Sequence, residues 1–482
     1  MMERQMGSYQ PLCTRHATVV ALCLVCCLVL ATCDSMGTKA EGTITFDPNG
    51  GTGTMSPQVV TIGTSACLES NAFTKSGYSF AGWATSFGGD VVYADGATYN
   101  MKGTVTLYAK WGKLVIFDPN GGTGTMSPQA IAYGAYAFLK QNTFTRPGYV
   151  FSGWNMVPDG RGYYNCDCSS FPRSSAGMTE NATVYAQWVQ TIATDVTSTA
   201  SGLGTSFVLK PVTGGAFSST GGSTADIMVS SFYMSQYHVT RANFSAVMGA
   251  DPSNIAFSSG TNDPVQVTWY MAIAFCNKLS LLDGLTPVYT VSTVSDWPSL
   301  AFSSIPSSKE SAWDRPIVDR SANGYRLPTE AEYMWAAIGG ASDSRSGDIV
   351  NGMNIGGYSK GYAGSNEPAG GQTSIGDYAW YSGNYSGTTH PVGLKKPNEM
   401  GIHDLTGNVY SWCWDAFSNS GLLPGENPQG PEGLPFGRVL RGSTFGSSAY
   451  ACVLTERWDG PLHLSAGEGL LAGVGFRVVR SQ

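Results

Sequence analysis

The stretch NGYRLPTEAE, residues 323–332, decides how the C-terminal half of this chain is read. Pro328 stands just before Thr329, Glu330, Ala331 and Glu332, and a proline followed by acids in the first turn marks a helix start. Upstream, WYMAIAFCNKLS at 269–280 places apolar residues at i, i+3, i+4 and i+7, which predicts an amphipathic helix. Around these two windows, from 206 to 482, aromatics are scattered, glycines are many and helical windows are short. Short strands and long loops are expected there.

Four more blocks flank the first: FYMSQYHVT at 232–240, THPVG at 389–393, GNVYSW at 407–412 and GFR at 475–477. In order and spacing the five blocks resemble the formylglycine-generating-enzyme (sulfatase-modifying factor) family. The resemblance implies an α+β, C-type-lectin-like fold with little regular secondary structure. In such a loop-rich fold Arg326, Glu330, Glu332 and Asn408 are expected to hold loops together by hydrogen bonds. Trp412 and Trp414 are expected in the core.

The resemblance also implies where the family's chemistry should sit. Its enzymes bind copper through two cysteines just after an Arg-Gly-Gly-Ser block. Here the block reads Arg441-Gly442-Ser443-Thr444-Phe445, the first cysteine position falls on Ser447, and Cys452 falls near the second. One thiolate does not make a two-sulfur Cu(I) site, and a hydroxyl is too hard to replace the other. The family's calcium-binding glutamate in the GNxWEW block is replaced by Ser411. A related iron branch uses three histidines, whereas His238, His390, His403 and His463 show no paired helical spacing. No catalytic residue, metal or cofactor is therefore expected, and a metal-dependent oxidase is the competing reading.

Between RVLRG and GFRVVR, which look strand-like, residues 443–474 are glycine-rich and have no clean period. This window resembles the variable region of retroelement-diversified lipoproteins, which display variable residues on the same fold. In those proteins adenine-directed mutation of codons such as AAC yields Tyr, Ser, Asp, Gly, Phe, His, Leu, Cys or Ala, but not Lys, Gln, Met, Glu or Trp. The window has no Lys, Gln or Met, yet it holds Glu456, Trp458 and Glu468, so its composition agrees in part. The expected binding face comprises Phe445, Gly446, Ser447, Ser448, Tyr450, Cys452, Trp458, Asp459, Gly460, Leu462, His463 and Leu464. Aromatic and histidine side chains give rigid, amphipathic contact area at little entropic cost. The expected partner is a protein ligand or a surface molecule of a host or another cell.

The N-terminal half is organised differently. FDPNGGTGTMSPQ occurs at 46–58 and again at 117–129, and the same offset carries Trp83 onto Trp154. Each copy continues through Gly-Tyr and Gly-Trp and closes on an alternating strand with a tryptophan, TVTLYAKW to Trp111 and ATVYAQW to Trp188. Duplication at this period means tandem modules, here 42–112 and 113–189. Asp-Pro-Asn-Gly-Gly is turn chemistry between strands. The pair resembles the internalin B-type (Listeria–Bacteroides) repeat, a small β-grasp-like module of surface proteins. With no histidine and few acids it reads as a stalk, and a structural adhesin acting through the repeats is the alternative. Residues 190–205, rich in Thr, Ser and Ala, read as a linker.

The first 32 residues read as a targeting segment. Arg4 and Arg15 precede an apolar run at 18–31, shorter than the roughly 20 residues a bilayer span needs. The run ends in Leu30-Ala31-Thr32-Cys33, which resembles a lipoprotein cleavage box with Cys33 as the acylated residue, although Thr32 is an unusual neighbour. Several acyl chains on Cys33 would anchor the protein stably in a membrane. The expected location is the bacterial cell surface, lipid-anchored in the outer membrane. Past Cys33 the six cysteines are Cys67, Cys166, Cys168, Cys276, Cys413 and Cys452, too sparse for a disulfide scaffold. Cys166-Asp167-Cys168 has no third metal ligand nearby. The net charge of −7 over 482 residues, without any Lys/Arg cluster, argues against nucleic acid as a partner.

Overall fold

The structure is a computed structural model that describes residues 39–160, 164–165, 170–172, 176–200, 203, 207–219, 226–258, 260–345, 348–350, 353–431, 437–462 and 473–482. Cys33, Cys166, Cys168, His463 and Leu464 lie outside the described residues. Among the described residues, no helix is long and apolar enough to cross a membrane.

The two repeats share a strand. Val105–Asp118 begins by pairing parallel with Glu41–Asp47 and antiparallel with Ser79–Ala84, both from the first repeat. Its second half pairs parallel with Ala182–Gln190 and antiparallel with Gln129–Ala132, both from the second. One eight-stranded sheet results, and the closing strand of one module is the opening strand of the next. Gly112 sits at the crossover, where an added Cβ would lie 1.9 Å from the Ile131 carbonyl oxygen.

The repeated Asp-Pro-Asn-Gly-Gly does the same work twice. Asn49 and Gly50 both have positive φ, as do Asn120 and Gly121, the turn geometry that Asn-Gly favours. The Asn49 amide donates to Ala109 O (2.8 Å) and that of Asn120 to Ala186 O (2.9 Å). The closing tryptophans donate back to the prolines, Trp111 to Pro48 O (2.9 Å) and Trp188 to Pro119 O (2.8 Å). Trp83 and Trp154, fully buried, each centre their own aromatic cluster.

The stretch expected as a linker is built into the next unit. Val196–Thr197 pairs with Val208–Val212 and forms the edge of a five-stranded sheet. Ser198 and Thr199 donate to Asp283 at 2.6 and 2.9 Å. Its small polar residues are used as hydrogen-bond donors rather than for flexibility. The sheet continues through Phe232–Ser235, Val479–Ser481 and Tyr325–Arg326, so both ends of the C-terminal unit belong to one sheet.

The two expected helices are present. Trp269–Leu282 is capped by Thr268, whose hydroxyl accepts from the Met271 amide, and is the centre of the largest core cluster. Glu330–Ala337 has a reciprocal capping box, Thr329 with Glu332, and every one of its residues is buried. A four-stranded sheet, in the order Trp458–Gly460, Arg438–Arg441, Tyr410–Ala416, Val474–Gly475, carries the candidate site.

Candidate functional site

The site is a loop that leaves and rejoins one strand. Ser411 and Arg441 are paired across Tyr410–Ala416 and Arg438–Arg441. Gly442 and Ser443 then take positive φ (96° and 63°) and turn the chain outward. A short 3-10 turn, Ala449–Cys452, follows, and the chain returns as Trp458–Gly460 with Trp458 opposite Leu440.

Buried charges fix the base of this loop. Arg441 is fully buried; its guanidinium bonds Glu330 (2.8 Å) and the carbonyls of Leu454 and Glu456 (3.0 Å each). Arg457 grips the same carboxylate at 2.5 and 2.9 Å. Burial pushes the Glu330 carboxyl up, but the two guanidiniums outweigh it and hold it below the usual range. Asn408, at φ 64°, trades hydrogen bonds with the His390 backbone (2.9 and 3.1 Å), and its own carbonyl accepts from the Phe445 amide at 2.9 Å. Arg326 and Glu332 form a two-pronged pair at 2.6 and 2.7 Å. All four residues expected to hold loops do so.

The residues named for the face divide by burial. Gly446, Ser448, Tyr450, Trp458 and Asp459 are exposed, Tyr450 at 77% and Trp458 at 47%, and Ser447 is half-buried. Phe445, Cys452, Gly460 and Leu462 are buried, which takes their side chains off the expected contact surface. Phe445 packs against Tyr385 (ring centroids 5.9 Å apart), and Leu462 joins the main core. A Cβ on Gly460 would meet the Trp412 ring at 2.3 Å. Asp459 is exposed yet structural, because its carboxylate accepts from the Gly437 amide at 2.6 Å.

At the two positions compared with the family's cysteines, both side chains are engaged internally. The Ser447 hydroxyl accepts from the Thr444 amide at 3.0 Å. The Cys452 thiol accepts from the Ser443 hydroxyl at 3.3 Å; burial pushes the thiol up, against the pull of that hydrogen bond. Ser411 faces His238 at 2.7 Å, and burial, then Arg477, holds this histidine well below its ordinary value. The imidazole and the hydroxyl are thus engaged with each other at the position compared with the family's calcium glutamate. Among the described residues no group of three or more His, Cys, Asp or Glu side chains is placed to hold a metal ion.

Three neighbours of the face escape sequence reasoning. The Ser382 amide donates to Ser447 O at 2.9 Å and so docks the loop carrying Tyr381 and Tyr385 beside the face. Tyr385 is 42% exposed. Burial pushes the Tyr410 hydroxyl up to about 12, with the Ser447 hydroxyl opposing. These contacts join segments far apart in sequence, where no periodicity or spacing could signal them.

Residues 195–482 match the family model of the sulfatase-modifying factor enzyme 1-like domain, and the chain belongs to that family. Residues 43–110 and 114–187 each match the Listeria-Bacteroides repeat domain. The chain is 34% identical over 284 residues to the chaperone protein LppX of Paenibacillus barcinonensis, covering 56% of this chain and 88% of that protein. It is likewise 34% identical to the formylglycine-generating enzyme of Streptomyces coelicolor, over 139 residues that span 25% of this chain and 36% of the enzyme. Among solved structures, Treponema denticola variable protein 1 aligns with a TM-score of 0.50 and 31% identity, covering 60% of this chain and all of that one.

Proposed function

We infer that this chain is a lipid-anchored surface protein that binds another molecule through the outward loop of its C-terminal unit, and that it does no oxidase chemistry. One observation carries the reading: Tyr450 and Trp458 stand exposed on a backbone that buried Arg441 and Glu330 hold fixed. Large aromatics on a rigid exposed segment mark recognition surfaces. The likeness to a variable protein supports diversification of this face by a retroelement. The two repeats, joined through one strand, act as the stalk that carries the unit away from the membrane anchored at Cys33. The partner is a protein or a surface molecule of a host or another cell.

Against the oxidase, the Ser447 hydroxyl and the Cys452 thiol are both tied into the loop's own hydrogen bonds. Anaerobic Cu(I) titration of the full chain, followed by an oxygen-uptake assay, tests this directly. No stoichiometric tight site and no uptake are expected; a tight site with uptake would overturn the reading. Sequencing the gene from independent isolates tests diversification. Substitutions should crowd onto codons for the exposed residues of 446–459, and an invariant segment would contradict it.

A further inference from the structure

A second site, unrelated to that face, lies where the second repeat meets the C-terminal unit. The Ser231 hydroxyl donates to Gln190 O, and Thr213 and Ile192 exchange two hydrogen bonds, so the walls are fixed to one another. Between them is a cleft of about 540 Å³, within the size range of small-molecule sites. Its walls are mostly neutral and polar, with Gln187, Gln190, Ser230, Asn427 and Gln429 among them, together with Arg320 and the Arg326–Glu332 pair.

The Arg320 guanidinium lies over the Trp414 ring, with its Cζ 5.9 Å from the centroid, but one edge of it makes no hydrogen bond. Its Nε and Nη2 are out of contact with solvent and have no hydrogen-bond acceptor among the described residues. Glu332, in the same cleft, is spent on both prongs of Arg326 and on the Thr329 amide (2.8 Å). Nε and Nη2 form one edge of the guanidinium, the planar fork that matches two oxygens of a carboxylate or phosphate. Glu332 and Glu426 share the cleft, and their charge disfavours a dianion.

We propose that this cleft binds a small monocarboxylate with a hydroxyl- or amide-rich body, held by the Nε–Nη2 edge of Arg320. Such a carboxylate comes from an acidic sugar or from the carboxyl end of a short peptide. Calorimetric titration of the full chain with glucuronate and with N-acetyl-alanyl-alanine separates the two sources, with glucose and glucose 6-phosphate as controls. Saturable binding of one carboxylate is expected, with none of glucose. Arg320→Gln and Arg320→Lys should each weaken it at least tenfold, the second because an ammonium keeps the charge and loses the fork. Neither variant should melt more than about 4 °C below the parent, since only the long contact with the Trp414 ring is lost. Failure of both carboxylates, equal affinity in Arg320→Gln, or tighter binding of glucose 6-phosphate would each overturn the proposal.

Discussion

Trp412 and Trp458 lie in one sheet and should respond oppositely to truncation. Trp412 is fully buried, donates to Val267 O at 2.9 Å and closes over Gly460, so Trp412→Ala should cost about 3–5 kcal/mol and unfold the unit. Tyr450→Ala and Trp458→Ala should each change stability by only about 0.5 kcal/mol while altering binding. Thermal melts set beside a binding assay separate the two classes. Asp459→Ala belongs between them, because it orphans the Gly437 amide at a cost of about 1–3 kcal/mol. Asp415 gives a pH signature. Burial, then Glu330, pushes its carboxyl up to about 8, against about 4 in an unfolded chain. The native state therefore keeps a proton that the unfolded state gives up, and this contribution, fully present below pH 4, is lost as pH rises to 8. Asp415→Asn mimics the protonated form, so its advantage over the parent should grow between pH 5 and 8 in melts at both ends; an advantage that shrinks would contradict it. The motif residues Arg326, Glu330, Glu332 and Asn408 were legible in the sequence, because a loop-rich fold has to use its polar groups. The inside or outside placement of Phe445 and Tyr450 was not legible. Both are aromatic and lie within six residues, in a window with no period to separate a core position from a surface one.

At the level of elements, one strand and one ion cluster set the architecture. The repeats were legible from the duplicated turn and its distant tryptophan, since Trp111 and Trp188 are the residues that hold those turns. That the modules share Val105–Asp118 was hidden, because a continuous strand across a module boundary leaves the same alternation as two abutting ones. Gly112→Ala tests the junction: its Cβ would press on the Ile131 carbonyl and should cost about 1–3 kcal/mol in the melting of the repeat pair. Gly88→Ala, with nothing within 4 Å of its Cβ, is the matched control. Arg441 ties the helix Glu330–Ala337 to the outward loop. Arg441→Met should therefore cost about 3–5 kcal/mol, because it leaves the Leu454 and Glu456 carbonyls without their donor and Glu330 with Arg457 alone. A loss confined to the loop, seen by hydrogen exchange with the helix still protected, would show that the cluster does not couple them.

Across the whole molecule, two repeats joined through one strand precede a unit whose interior is over-determined and whose outward loop is held by Arg441 at its base and by the Ser382 amide at Ser447. Two core clusters, one around Trp269–Leu282 and one around Glu330–Ala337, lie under the fixed strands, and the loop adds Phe445, Cys452 and Leu462 as internal pins. On the proposed reading, the exposed positions between those pins, Asp459 apart, vary without disturbing the fold. The most direct measurement is the thermal melt of the full chain with Gly446, Ser448, Tyr450 and Trp458 all replaced by alanine. Gly446 can take a Cβ, because the nearest atom to it is 3.8 Å away. At about 0.5 kcal/mol or less per surface substitution, with partial cancellation, the melting temperature should stay within about 4 °C of the parent. A fall of more than about 10 °C would mean that these side chains hold the fold together, and the loop would not be a display surface.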